Sequence, residues 1–559
     1  MAEAKNLNCS GSTNVTDIAH PLPPRATWHA LEAHATRLGA SPVPSLFASE
    51  AQRYAELSLS HDGILVDFSK QHIDPAALGA LLELARQCDL STAIGALFAA
   101  QPLNFTERRA ALHMALRGSC AVPQRDQAAM RDTSARVRAF VDGMRNGNII
   151  GANGQPIQRV VNLGIGGSDL GPRFVVEALT RHADPRAPQI RFVANVDPLE
   201  LDLVLAEADP HTTLFIISSK SFTTAETLAN ARAALRWLRN GLGDDADIGR
   251  HLAAVSNATS AATAFGVPGE RVFQLPEWVG GRYSVWSAIG LPAMLALGSA
   301  GFEHFLAGGR SMDEHFRDTP LQHNLPVLMG LIGLWNASFM DIDSLALLPY
   351  AHALRSLPAW LQQLEMESNG KRCTRDASAV EIQTSPIIWG GSGTVGQHAF
   401  HQLFYQGTRR VALDFVVIAG GTDERERMLV DNALAQSAAL MSGRDLQAAQ
   451  ASLRARNLPE TEVERLAPHL VCPGNQPSTT ILLPTLTPYT LGQLMALYEH
   501  KVFVQGWIWG INSFDQYGVE LGKDMARQLA SGNAENHDPS TAGLMAAVAA
   551  MRARADEQS

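Results

Sequence analysis

The chain has 559 residues, 46% of them hydrophobic and 18% charged, with a formal net charge of −10. That length exceeds one ordinary core and predicts roughly two to four domains. The acidic balance argues against a nucleic-acid binder, whose footprint is basic, so an anionic ligand would have to be met by a local positive site.

The opening segment to about His20 is polar and is expected to order late or not at all. Through Pro24 it lacks a basic region followed by an apolar core, which predicts no secretory signal. Five scattered cysteines, Cys9, Cys88, Cys120, Cys373 and Cys472, form no C-x-x-C pair. They predict reduced thiols in a cytoplasmic compartment and no metal cluster.

From Thr27 to about Arg125 the patterns are helical, as in WHALEAHATRL and PAALGALLELARQC. Asn104 with Glu107 three residues on predicts the start of a further helix over RRAALHMALR. From about Arg159 the pattern changes to strand, glycine turn, helix: RVVNLGIGG, QIRFVANV, TTLFIISS and LAAVSN alternate with RFVVEALTRH and AETLANARAALRWLRN. That alternation predicts a parallel sheet covered by helices. Residues 284–302 carry no charge and are long enough to cross a bilayer. Ser287, Gly290, Pro292, Gly298 and Ser299 dilute their hydrophobicity, so a buried helix is expected instead. A second α/β stretch follows, with strand-like IQTSPIIWG, VALDFVVIAGG and TTILLPTL.

Several segments carry candidate chemistry. In IISSKSFTTAETLANARAAL a strand runs into a helix that starts near Thr223, with Glu226 at capping-box spacing. Ser219, Lys220, Ser221 and Thr224 crowd this junction, where exposed N–H groups, hydroxyls and an ammonium suit a phosphomonoester. The dull alternative is a capped helix with solvated hydroxyls. Gly164, Gly166 and Gly167 in residues 160–172 permit a tight turn and close approach of backbone to a ligand. Gly391, Gly393 and Gly396 match the dinucleotide pattern, but Asp414 opens the following strand instead of closing it, so nicotinamide binding ranks low. Arg282 follows Gly280-Gly281 and could face a developing oxyanion or merely pair on the surface. Gln363 and Glu367 share a helix face near Ser368-Asn369-Gly370, where the dipole would favour a basic carboxylate and Lys371 would oppose it. Lys523 lies one turn after Glu520, a spacing that a surface ion pair explains equally well. His398 in GQHAFHQLF could be an ordinary helix-start histidine.

GIGGSDLGP, SSKSFTTAET, VGGRYSVWSAIG, MESNGK, GQHAFHQL and FDQYGVELGK occur in the order found in glucose-6-phosphate isomerases, and the chain resembles that family from about residue 50 to about residue 530. The resemblance implies an α/β fold with two sugar-isomerase (SIS) type sandwich domains, parallel-rich sheets, and helical N-terminal and C-terminal segments. Mapped here, the segments are residues 1–125, the domains 126–305 and 306–525, and the tail 526–559. It implies interconversion of glucose 6-phosphate and fructose 6-phosphate, a homodimer, and no metal or organic cofactor, nucleic acid or membrane partner. Glu367 resembles the base that carries the proton between C1 and C2, and Arg282 the enediolate stabiliser. His398, contributed by the neighbouring subunit, and Lys523 resemble the groups that assist ring opening. Ser219, Lys220, Ser221 and Thr224 match phosphate contacts; Gly167, Ser168, Gln363 and Gln516 match other substrate contacts. A non-catalytic sugar-phosphate regulator on the same fold could keep the cradle, but would not need Glu367, His398 and Lys523 together.

Overall fold

Asp62 and Gly63 both take positive φ (46° and 91°), the conformation that a tight two-residue hairpin turn demands. They join β1 (Ser58–His61) to β2 (Ile64–Asp67) as an antiparallel pair. The stretch from Thr27 to Arg125 is therefore not purely helical. Helices Arg25–Gly39, Pro75–Gln87 and Leu90–Phe98 form as the patterns suggest, but the hairpin interrupts them. The computed structural model describes residues 24–531 and 537–557, so the polar opening, its lack of a signal pattern and Cys9 lie outside the described residues.

The helix expected after Asn104 is also absent. Asn104 pairs with Arg109 in an isolated antiparallel bridge, and only His113–Arg117 winds into a 3-10 turn. Tertiary partners override the local signal. The Asn104 side-chain oxygen accepts from Asn512 (3.0 Å), and the Leu112 N–H donates to the Trp278 carbonyl (3.3 Å).

The five-stranded sheet contains β3 (Arg159–Leu163), β4 (Gln189–Val193), β5 (Thr213–Ser218), β6 (Leu252–Val255) and β7 (Val272–Phe273). All pairs are parallel, in the order β4-β3-β5-β6-β7. Alternation along β5 sends Leu214 and Ile216 to one face and Phe215 and Ile217 to the other. Helix Gln124–Arg145 covers the first face through Val137, Phe140 and Val141, and helix Ala225–Leu242 the second through Ala231, Ala234 and Leu238. Burial on both faces explains the near-continuous apolar runs.

The second sheet joins the hairpin to β8 (Ser344–Tyr350), β9 (Ile387–Gly390), β10 (Ala412–Ile418) and β11 (Ser478–Leu483), in the order β1-β2-β11-β10-β8-β9. The last four strands are parallel, while β2 runs antiparallel to β11. Helix Glu424–Ser442 covers one face, and the other joins the main core with helices Leu325–Ser338 and Pro488–Ile508.

The uncharged residues 284–302 enter helix Leu291–Asp318, which bends where Gly298 takes a φ of 71°. Among the described residues, 288–318 is the one helical stretch long and apolar enough to cross a membrane, and 61% of its apolar window is buried inside the protein. It packs on helix Pro488–Ile508.

That second helix brings charge into the core. Arg117 donates to both oxygens of Asp313 (2.8 and 2.6 Å) and to Glu499 (2.5 Å), and His500 lies 2.7 Å from Asp313. Burial pushes Glu499 up to about 7 even with Arg117 beside it. Residues 515–559 form a separate unit with helices Gly518–Ala530 and Pro539–Asp556. Replacing Arg117 with Leu strands two buried carboxylates. Urea unfolding followed by tryptophan fluorescence is expected to show a loss of about 3–5 kcal/mol. A loss below about 1 kcal/mol, the size of an exposed pair, would mean that the cluster does not hold the core.

Candidate active site

The chain passes from β3 to β4 on one side and then crosses back to β5 on the other. This leaves a crevice at the carboxyl ends of β3 and β5, the place where open parallel sheets bind ligands. The two segments that open there are Gly164–Ser168 and Ser219–Thr224. Asn162 links them: its oxygen accepts from Ser218 Oγ (2.7 Å) and its amide donates to the Ser168 carbonyl (3.0 Å).

The glycines of the first turn accommodate protein as well as any ligand. A Cβ at Gly167 would overlap the Gly281 carbonyl, and one at Gly166 would lie 3.0 Å from the Gln363 amide nitrogen. The first loop therefore closes on the Gly280–Arg282 segment and the Gln363 turn.

In the second loop Phe222 is buried in a left-handed conformation (φ 54°), which costs a bulky residue of order 1–3 kcal/mol and is typical of functional turns. The helix starts at Ala225 with Thr224 as N-cap and no side-chain cap, so the expected Thr223–Glu226 capping box does not form. Thr223 pairs instead with Ser221 (2.6 Å), and Thr224 with Ser219 (3.1 Å). Four hydroxyls thus lie together at the mouth of a helix. Lys220 turns to the protein: its ammonium donates to the carbonyls of Glu277 (3.1 Å) and Val279 (3.3 Å) and lies 3.4 Å from the Glu277 carboxylate. Desolvation lowers its pKa from the ordinary lysine value, with Glu277 opposing.

Arg282 is buried, its side chain 2% exposed, and Glu367 is 22% exposed with its carboxylate 3.6 Å from the Arg282 guanidinium. Arg282 donates to Ser368 Oγ (2.6 Å) and to the Ser513 carbonyl (2.6 Å). Tyr283 reaches the same Ser368 hydroxyl (3.1 Å). Glu367 closes a π-helical turn, Gln362–Glu367, that continues helix Leu357–Leu361, and such turns cluster at functional sites. Lys371 caps this end by donating to the carbonyls of Glu367 (2.9 Å) and Ser368 (3.0 Å).

Arg282, Glu367, Gln363 and Gly167 are thereby brought together, and Lys220 ties the hydroxyl loop to the residues leading into Arg282. His398 is exposed beyond the short helix Gly393–Gln397; among the described residues no hydrogen bond or ion pair joins it to Glu367. Gln516 and Lys523 belong to the second unit, where Lys523 bonds Glu520 at 2.8 Å. The dinucleotide-like glycines are filled by protein, since a Cβ at Gly393 would overlap the Tyr350 ring and one at Gly396 the Phe400 ring. Asp414 is buried in β10 beneath Tyr498 (3.1 Å). Ser368, Tyr283, Glu277 and Ser513 were not singled out from the sequence, although three of them lie inside or beside quoted motifs.

The sequence profile of the phosphoglucose isomerase family matches residues 67–545. A glucose-6-phosphate isomerase of Aromatoleum aromaticum is 65% identical over 95% of this chain and 98% of its own length, and one of Brucella anthropi is 47% identical over 94% and 98%. A crystal structure of a glucose-6-phosphate isomerase from Chlamydia trachomatis superposes with a TM-score of 0.80 at 31% identity, covering 94% of this chain and 98% of that one. With the family profile spanning most of its length, this chain belongs to the phosphoglucose isomerase family.

Proposed function

We propose that this chain interconverts glucose 6-phosphate and fructose 6-phosphate, a step of glycolysis and gluconeogenesis, through ring opening and a cis-enediol. The observation that carries the reading is the pairing of a solvent-accessible carboxylate, Glu367, with a fixed and buried guanidinium, Arg282. Nothing favours a non-catalytic regulator.

The phosphate is held by the hydroxyls of Ser219, Ser221 and Thr224 and by the N–H groups at the helix mouth. Lys220 contributes positive charge from behind the loop, where it is tied to Glu277 and Val279. Gly167, Ser168, Gln363 and Gln516 contact the sugar. Binding energy from this remote anion fixes the reacting carbons.

His398 and Lys523 assist opening of the ring by moving a proton between the ring oxygen and the anomeric hydroxyl. Glu367 then removes the C2 proton of the aldose, and the electron pair becomes the C1–C2 double bond of the enediol. The charge that develops on oxygen faces Arg282, in a site that is partly dehydrated. The C1 oxygen gains a proton as the C2 hydroxyl gives one up. Return of the carbon-bound proton to C1 while the C2–O bond becomes the carbonyl completes the ketose, so the base ends as it began.

Two features support a homodimer in which His398 serves the neighbouring subunit's site. His398 is exposed in the single chain. The second unit also carries exposed apolar side chains, Leu521, Met525, Leu544 and Met551, of the kind that a partner surface covers. The cytoplasm is the expected compartment.

Glu367→Gln is expected to lower kcat by about 10²–10⁴-fold with sugar-phosphate affinity within several-fold; full turnover would remove Glu367 from its role. His398→Leu should lose more activity on cyclic than on open-chain substrate, and equal losses would speak against ring opening. Mixing the two variants as refolded dimers, assayed on cyclic substrate, tests the shared site. Complementation across the interface should restore on the order of a quarter of the wild-type sites, whereas a site built within one chain would restore none.

A further inference from the structure

The turn that carries Gln363 and Glu367 is held from behind by a buried ion pair. Both oxygens of Glu365 accept from the Lys501 ammonium (2.8 and 2.6 Å), and the two side chains are 0% and 2% exposed. Glu365 projects inward to helix Pro488–Ile508, while Glu367, two residues on, projects outward to Arg282. The flanks of the turn are tied as well. Gln362 donates to the Ile388 carbonyl (3.1 Å), and Asn369 donates to the Val502 carbonyl (3.0 Å) while accepting from Ser513 (2.7 Å).

A π-helical turn is a strained excursion from the α-helix and persists only where its surroundings over-determine it. Relaxation of Gln362–Glu367 to α geometry would rotate its end by roughly one residue's worth, about 100°. Glu367 would then leave the Arg282 guanidinium. The flanking side-chain bonds hold Gln362 and Asn369, whereas the middle of the turn is anchored through the Glu365 side chain.

We propose that Lys501 and Glu365 are positioning residues for the isomerisation: their ion pair holds the π register that presents the Glu367 carboxylate to Arg282 and to the C1–C2 edge of the substrate. This rests on Glu367 being the proton carrier. Neither residue touches substrate, and their effect passes through the backbone of the turn.

The test compares Lys501→Met, Glu365→Gln and the double variant Glu365→Leu with Lys501→Met, alongside Glu367→Gln. Each is measured for melting temperature, for kcat and KM on fructose 6-phosphate, and for binding of glucitol 6-phosphate, which has no carbonyl to isomerise. Replacing both partners of a buried pair with apolar groups is often neutral for stability, so the double variant separates folding from positioning. The expected result is a double variant that melts near wild type, binds glucitol 6-phosphate within about threefold, and has kcat lowered about 10–100-fold, the scale of a small misplacement of a catalytic group. Wild-type kcat in the double variant, or in either single variant that melts near wild type, would overturn the proposal by reducing the pair to a structural bond. Glu367→Gln keeps the two ideas apart: its full activity would refute the base assignment itself, whereas its inactivity beside a fully active double variant would refute only the positioning role.

Discussion

Three consecutive residues of one buried helix, Glu499, His500 and Lys501, hold much of this molecule in register. Successive residues on a helix point about 100° apart, so each reaches a different neighbour. Glu499 accepts from Arg117 and from the Trp286 indole (2.7 Å), His500 meets Asp313, and Lys501 meets Glu365. Burying a charge is costly unless a partner is present with good geometry, and here Arg117 is paired with Asp313 and Glu499, and Lys501 with Glu365. The Arg117 guanidinium also lies 4.4 Å from the centre of the Trp286 ring. Such clusters add little net stability compared with apolar packing, but they tolerate only one arrangement. This one fixes the end of the 104–117 segment, Trp286 ahead of the long helix, the far end of that helix at Asp313, and the turn that carries Glu367.

The site takes its parts from both sheets. The hydroxyl loop and the glycine turn follow β5 and β3 of the five-stranded sheet, whereas Gln363 and Glu367 follow β8 of the other. A phosphate held by one sheet can present carbon atoms to a base on the other only if the two are locked together. Gly166 meets that need at close range, because a side chain there would begin 3.0 Å from the Gln363 amide nitrogen. Lys220 bonds the residues that lead into the Gly280–Arg282 turn, and Arg282 makes the second tie across to Ser368.

Most of the parallel strands are legible as apolar runs, and β3, β5, β6, β9 and β10 are ended by glycine or serine; the two-residue β7 carries no such run. The strand Ser344–Tyr350 escaped notice since its apolar run lacks a glycine stop. The hairpin at 58–67 did carry a signal, Asp62-Gly63 between short alternating segments, hidden among strongly helical neighbours. Asn104 and Glu107 misled for the opposite reason. Their spacing is correct for a cap, but distant residues Asn512 and Trp278 claim the bonding groups of that segment. At the site, family strings located Glu367 and Arg282, but not the contacts that orient them. Nothing in a linear reading tells that Lys220 faces Glu277, that Lys371 reaches main-chain carbonyls, or that Glu365 and Lys501, 136 positions apart, share a bond.

In the proposed mechanism Arg282 serves as both fastener and chemical agent. Its bonds to Ser368 and to the Ser513 carbonyl join the loop of one sheet to the catalytic turn beside the other. Those bonds also remove its freedom to reorient, so charge that appears on a substrate oxygen meets a dipole already in place and no reorganisation is needed. Lys371 complements it from the far side. By capping the carbonyls of Glu367 and Ser368 it offsets the negative end of the helix, so the negative charge at this end is concentrated on the Glu367 carboxylate. An accessible carboxylate set against a fixed, buried cation is the arrangement that the proposed proton shuttle between adjacent carbons requires. The charge that proton removal creates must be met by something that does not move.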